Sequence, residues 1–225
     1  MDDMLRHEWK YEINTADIFI LRQRLNAVAQ PDAHSRDGTY IIRSLYFDNL
    51  NDKALREKID GVNHREKYRL RYYNGNNDFI RLEKKSKING LCKKEGVNVT
   101  KEEVSDLLAG KYQWMLDESR PLVNELYVKM MLQGLRPRTI VEYTRDAFVY
   151  GPGNVRVTLD YNIRTGLNSI DFLNSSLVTI PAGDTQGILE VKWDEFLPDT
   201  IKSAVSLKGR RVGAFSKYAT CRIYG

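Results

Sequence analysis

Cysteine is scarce in this chain of 225 residues, and long apolar runs are missing. The two cysteines, Cys92 and Cys221, lie far apart and give neither the spacing of a metal site nor a disulfide framework. Reduced thiols and a cytoplasmic location are therefore expected. No stretch has the uninterrupted apolar length that spans a bilayer. The start, residues 1–4, lacks the basic and apolar regions of a signal peptide.

Familiar catalytic signatures are also missing. There is no Walker-type glycine loop and no dinucleotide-binding fingerprint. The histidines His7, His34 and His64 stand beside no catalytic-looking Ser or Cys motif, so surface or structural roles are predicted for them. Nucleophilic catalysis is therefore not indicated, and the charged residues are the candidates for function.

The composition is that of an ordinary globular chain. Hydrophobic residues make up 42% and aromatic residues 10%. The 35 Lys and Arg residues exceed the 30 Asp and Glu residues, for a net charge of +5. This modest excess fits a phosphate ligand, a nucleic acid or neither. Length and the lack of linkers or repeats predict a single domain over residues 1–225.

Hydrophobic periodicity and turn residues predict the order of the elements. Strands are predicted at 7–13, 40–47, 65–73, 79–87, 92–99, 138–150, 155–163 and 188–193, with turns at 74–78 and 88–90. Helices are predicted after Asn14 or Thr15, at 53–59, from Thr100 to near Gly110, at 121–132 and at 198–205. This order predicts an α+β domain around an antiparallel sheet.

The predicted strands carry charged residues on one face and apolar residues on the other. In 65–72, Lys67, Arg69 and Arg71 alternate with Tyr68 and its apolar neighbours. The pattern recurs at 8–12, 80–85, 155–160 and 189–193. For any one strand a solvated face is the ordinary explanation. Because the charged faces lean towards Arg and Lys, the strands together predict a polyanion site, which would line a tunnel if the sheet closes.

Phosphoryl transfer needs this kind of residue set, since cations and a divalent metal supply most of the charge neutralisation. Arginine forks bind phosphate oxygens in pairs, and Lys acts as a compact charge. Hard metals such as Mg or Mn prefer carboxylate oxygens, and Glu190 is a candidate ligand.

Eight segments in order resemble one known family. They are Glu8–Tyr11, Ser44–Asn49, Tyr68–Tyr73, Leu82–Lys85, Thr144–Phe148, Val155–Asp160, Leu189–Lys192 and Phe215–Tyr218. Together they resemble the catalytic domain of the vacuolar transporter chaperone (VTC) polyphosphate polymerases, of the CYTH-like triphosphate tunnel metalloenzymes. The resemblance covers nearly the whole chain.

The resemblance implies an antiparallel β-barrel or tunnel with a polar, basic lumen and helices packed outside. It implies transfer of the γ-phosphate of ATP to a polyphosphate chain with a divalent metal, Mn or Mg, bound. The residues that match phosphate-binding cations, and are expected to be catalytic, are Lys10, Arg69, Arg71, Lys85, Arg145, Arg156 and Lys217. Further substrate contacts are expected at Arg65, Lys192, Ser216 and Tyr218, and metal ligands at Glu190 and Glu8.

One departure from the wider superfamily is informative. Its members often begin with Glu-x-Glu-x-Lys, and Arg6 takes the place of the first glutamate in this chain. The loss of a carboxylate weakens a two-metal triphosphatase or cyclase interpretation and fits the polymerase branch better.

Two other functions fit the same residues. The same tunnel would serve hydrolysis of inorganic triphosphate or nucleotides, or it would bind polyphosphate without catalysis. Specific nucleic-acid binding is less well supported as an interpretation, because the aromatic residues that could stack on bases fall on the face away from the cations. No feature specifies a protein partner.

Three residues have simpler structural interpretations. Asp160 is expected to pair with Arg156, and Asp48 to end a strand. Lys192 is equally consistent with a salt bridge to Glu190 and with a phosphate contact.

Overall fold

The computed structural model describes residues 6–33, 38–88 and 91–223. Residues 1–4, His34 and the predicted turn at 89–90 lie outside these ranges. The strands are β1 (His7–Ile13), β2 (Gln30–Pro31), β3 (Thr39–Asp48), β4 (Arg65–Tyr73), β5 (Asn76–Ile88), β6 (Leu91–Val99), β7 (Arg136–Tyr150), β8 (Val155–Thr165), β9 (Ile180–Pro181) and β10 (Gly187–Trp193). The helices are α1 (Thr15–Val28), α2 (Lys53–Ile59), α3 (Lys101–Leu108), α4 (Pro121–Gln133), α5 (Asp199–Ala204) and α6 (Lys217–Ile223).

The chain forms two compact units, each assembled from separate segments. The first unit comprises Met1–Ile41, Tyr143–Ile163 and Gly183–Phe215. The second comprises Ile42–Glu142, Arg164–Ala182 and Ser216–Gly225. Strands β3, β7 and β8 each contribute residues to both units. The limits of the units therefore do not coincide with the ends of these strands. A single domain over residues 1–225 stays a prediction.

In the first unit, β10 lies between β1 and β8 and pairs antiparallel with both. Helix α1 covers the apolar face, where Leu21 and Leu25 are buried with Leu159 and Leu189 of the strands. The helix begins at a capping box, in which the Asn14 side chain accepts from the Asp17 amide at 2.8 Å. The predicted cap and apolar stripe of this helix are confirmed.

In the second unit, the strand order is β3-β4-β5-β6, and the β3–β4, β4–β5 and β5–β6 pairs are antiparallel. Its separate core joins Leu70 and Leu82 of the sheet to Leu126 of α4. The β4–β5 connection is tighter than predicted, since Asn74 and Gly75 alone form the turn, at φ 52 and 71. Two residues with positive φ match the twist of a two-residue hairpin, so the strand resumes at once.

The α+β class and the antiparallel pairing are confirmed. The sheet is not closed by hydrogen bonds in the described ranges, where β6 pairs only with β5 and β1 takes a single bridge, Tyr11 to Val212, on its outer edge. Helix α6 was not predicted, although Ser216 is a recognisable cap residue at its start. No helix in the described residues has the length and hydropathy needed to cross a membrane.

We expect Leu126→Ala to lower the free energy of unfolding by about 2–5 kcal/mol, because it opens a cavity in the core of the second unit. Denaturant unfolding measures the change. Leu132→Ala is the matched control on the same helix, where the side chain is 80% exposed, and it should shift stability by about 0.5 kcal/mol or less. Equal losses in both variants would contradict the assigned core.

Candidate functional site

Cations dominate one face of the second unit. We call the charged side of β4, β5 and β6 the β4–β5 face, and its members are Arg65, Lys67, Arg69, Arg71, Arg81, Glu83, Lys85, Lys87 and Lys94. The strand register sets Arg69 opposite Glu83 and Lys67 opposite Lys85. Arg65, Arg69, Arg71 and Lys85, four of the predicted site residues, therefore share this face, as the alternation predicted.

Glu83 is the carboxylate around which this face is organised. Its side chain is buried, and Arg69 and Lys94 approach its oxygens at 2.7 Å, with Arg71 at 3.6 Å. Burial alone would raise the pKa of Glu83, but Arg69, Arg71 and Lys94 outweigh it and hold the pKa well below its usual range. The carboxylate is thus ionised across the physiological range and fixes the arginine forks in place.

Tyr46 of β3 lies beside the same arginines. Its hydroxyl accepts a hydrogen bond from Arg69 at 2.8 Å. Burial would raise the pKa of this phenol, but Arg69, Arg71 and Lys217 together lower it. The lowered pKa reflects the positive local potential that these three cations create.

The segment from Ser216 to Tyr218 begins helix α6. The Ser216 hydroxyl accepts from the Ala219 amide at 3.3 Å, as a helix cap does. Tyr218 is buried, and its hydroxyl donates to Asp48 at 2.6 Å. These two predicted substrate residues therefore hold structural contacts, whereas Lys217 stays a candidate phosphate contact.

Asp48 ends β3, as predicted, and has a second role. Its carboxylate accepts from the amides of Asn49, Ala54 and Leu55 as well as from Tyr218. It therefore caps α2 and anchors α6 at once, with all four of its acceptor positions used.

In the first unit, carboxylates and cations are balanced. We call the charged side of β1 and β10 the β1–β10 face, and Glu8, Lys10, Glu190 and Lys192 form its centre. Lys192 approaches Glu190 at 2.5 Å and Glu8 at 3.3 Å, and Lys10 approaches Glu8 at 3.0 Å and Glu190 at 3.6 Å. Burial would lower the pKa of Lys10, but Glu190 and Glu8 outweigh it and raise that pKa.

The expected pairing of Asp160 with Arg156 is wrong. Asp160 is fully buried and binds Arg145 through two parallel hydrogen bonds of 2.6 and 2.8 Å. Arg156 instead pairs with Asp32 at 2.7 Å. Two residues four apart on one strand are about 13 Å apart, beyond the reach of an ion pair. Asp160 reaches an arginine on β7 instead.

Three charged residues that have contacts in the structure are not among the predicted site residues. The sequence pattern does not identify Lys94, because Cys92, Gly96 and Asn98 interrupt the charge alternation of β6. Asp32 follows the two-residue strand β2, which is too short to carry a period. Lys67 is visible in the alternation but is not among the predicted site residues.

The two predicted metal ligands, Glu8 and Glu190, would need further ligands from phosphate oxygens or water to complete a metal site. No group of three or more His, Cys, Asp or Glu residues that could hold a metal occurs within the described part of the chain. Glu8 and Glu190 are nevertheless close to the same two lysine ammonium groups. One or two carboxylates completed by phosphate oxygens and water is the set that Mg²⁺ prefers at phosphate sites.

The family is established by a match over residues 5–223 to the model of the VTC domain. The chain belongs to the VTC domain family. No curated protein matches it in sequence.

One of two similar solved structures shares the fold. A candidate adenylate cyclase from Bacillus halodurans superposes with a TM-score of 0.53 at 13% identity, covering 85% of this chain and 82% of that protein. A second candidate adenylate cyclase, from Vibrio parahaemolyticus, has a TM-score of 0.45 at 10% identity and covers 90% and 83%. The first of these similarities supports the α+β fold.

We expect Asp160→Asn to lower the free energy of unfolding by about 3–5 kcal/mol, because it leaves the Arg145 guanidinium buried without its counter-charge. Chemical denaturation followed by circular dichroism tests this. Asp184→Asn, on an exposed segment of the same unit, is the control and should change stability by about 0.5 kcal/mol or less. A near-neutral Asp160→Asn would show that the ion pair is dispensable.

Proposed function

We propose that this protein is a metal-dependent polyphosphate polymerase that transfers the γ-phosphoryl group of ATP to a polyphosphate chain. The observation that carries the proposal is the excess of cations on the β4–β5 face, where Glu83 is shared by Arg69, Arg71 and Lys94. Membership of the VTC domain family supports it. A face with this charge excess is stabilised by a polyanion, because the phosphates neutralise the mutual repulsion of the cations.

The two arginines supply directed hydrogen bonds as well as charge. Arg69 Nε donates to Glu83 at 2.8 Å, and Arg71 Nε donates to Ser44 at 3.2 Å. Each guanidinium carries five N–H donors in a planar fork, the geometry that binds phosphate oxygens in pairs. Because the side chains are already held, little conformational entropy is lost when phosphates bind.

The proposed reaction balances without a protein nucleophile. A terminal phosphate oxygen of the polyphosphate chain attacks the γ-phosphorus of ATP, the bond from that phosphorus to the β–γ bridging oxygen breaks, and ADP leaves with that oxygen. The attacking oxygen is already an anion, so no general base is required. The protein's contribution is to position the two phosphates in line and to offset charge in the transition state.

The β1–β10 face supplies the carboxylates in this proposal. Glu190 and Glu8 would hold a divalent metal, Mn or Mg. When bound, the metal offsets negative charge on phosphate oxygens. Lys10 and Lys192 each contact both glutamates, so phosphates bound at this face would meet ammonium groups beside the carboxylates.

The test is incubation of the purified protein with ATP, Mn²⁺ or Mg²⁺ and a short polyphosphate primer. Gel electrophoresis resolves chain length, while ADP and free phosphate are assayed in parallel. The expected result is longer chains, with one ADP released for each phosphate added. Chelation of the metal should abolish both products.

Two other results would overturn the proposal in different ways. Free phosphate without chain growth would make the protein a triphosphate hydrolase. Tight polyphosphate binding that is insensitive to chelator, with no product, would make it a binding module.

We expect Glu190→Gln to lower the rate of chain growth by about 100-fold, equivalent to about 2.7 kcal/mol of transition-state stabilisation, because a metal ligand is lost. ATP binding, measured by calorimetry, should change by about threefold or less. Glu12→Gln is the matched control, since Glu12 lies on the same side of β1 and is exposed. Wild-type activity in Glu190→Gln would show that this carboxylate does not hold the metal.

A further inference from the structure

Lys67 occupies the middle of the β4–β5 face and lies against an aromatic ring. Its ammonium lies 5.0 Å from the centre of the Tyr218 ring. Within the described residues, no Asp or Glu oxygen lies within ion-pair distance of it, whereas its neighbour Arg69 contacts Glu83 at 2.7 Å. A half-buried cation whose contact is an aromatic face is poorly neutralised.

The two carboxylates that act on Lys67 electrostatically, Asp48 and Glu57, have closer partners of their own. Asp48 accepts four hydrogen bonds, from three backbone amides and the Tyr218 hydroxyl. Glu57 pairs with Lys53 on its own helix at 3.8 Å. Neither forms an ion pair with Lys67, and both act on its charge only at longer range.

Charged and titratable groups surround Lys67 on five elements. They are Asp48 on β3, Glu57 and Lys58 on α2, Arg65 on β4, Lys85 opposite on β5, and Tyr218 on α6. Burial, then Lys58 and Arg65, lower the pKa of Lys67 to about 8, against the opposing effect of Asp48 and Glu57. A phosphate placed here would raise that pKa again, since an anion favours the charged amine.

We propose that Lys67 binds a phosphate group of the polyanion and takes up a proton as it does so, which makes binding pH-dependent. This inference rests on the proposed polyphosphate substrate and assigns it a further contact. The proton goes from water to the amine, so ligand-free protein above pH 8 carries one positive charge fewer on this face than the complex does.

Proton linkage determines whether the affinity rises or falls with pH. At pH 7 the amine is protonated before and after binding, so no proton is taken up. Above pH 8 the free protein has released this proton and must regain it. The affinity of the wild type should therefore fall by up to about tenfold per pH unit in this range, beyond any change that comes from the ligand.

Calorimetry with inorganic tripolyphosphate tests the proposal without any reaction taking place. Titrations at pH 8 in two buffers with different ionisation enthalpies give the protons taken up per ligand. Lys67→Arg is the matched variant, because its guanidinium stays charged and titration of the tripolyphosphate itself cancels in the comparison. Wild type should take up about 0.5 proton more than Lys67→Arg at pH 8, and this excess should disappear at pH 6.5.

Two further variants separate a phosphate contact from a structural role. Lys67→Met should lose about tenfold in tripolyphosphate affinity at pH 7, whereas Lys67→Arg should keep it. Lys202→Met, on an exposed position of α5, should bind as the wild type does. Thermal unfolding of the free variants identifies any that fail to fold.

The outcomes are distinct. Equal proton uptake in wild type and Lys67→Arg, with tight binding in both, would overturn the role of Lys67 and leave the proposed function standing. No binding of tripolyphosphate by the wild type at any pH would overturn both.

Discussion

The charge balance at Glu83 is the constraint on which the cationic face depends. Strand alternation places Arg69 and Arg71 on the same side of β4, where they would repel each other if nothing lay between them. One buried carboxylate on the neighbouring strand offsets this repulsion and also accepts from Lys94. Because it is shared among three cations, the face keeps a net positive charge while its side chains stay ordered.

The charged strand faces of the two units differ in their balance of cations and carboxylates. On the β1–β10 face, Lys10 and Lys192 are matched by Glu8 and Glu190, so this surface is close to electrically neutral. On the β4–β5 face the cations outnumber the carboxylates. A neutral, carboxylate-bearing surface suits a metal that arrives with phosphates, and a positive one suits the phosphates themselves.

Strand alternation made much of this predictable. Burial of one side of a sheet requires a period of two, so the faces of Lys10, Arg69 and Glu190 followed from the sequence. The ion-pair partners could not be predicted from the sequence, because they depend on which strands are neighbours in the sheet. The sequence suggests a partner for Asp160 on its own strand, whereas the carboxylate binds Arg145 on β7. Helix α6 was missed because a cap and two buried side chains, Tyr218 and Cys221, hold it rather than a longer repeating pattern.

Asp48 ties two short helices to a single carboxylate. It closes the first turn of α2 and holds Tyr218 of α6, whose ring in turn covers the Lys67 ammonium. Helix α6 therefore covers part of the cationic face. A substitution that removed the Tyr218 ring would leave Asp48 one donor short and expose Lys67 further to water, so the end of one helix and an amine far earlier in the chain depend on the same phenol.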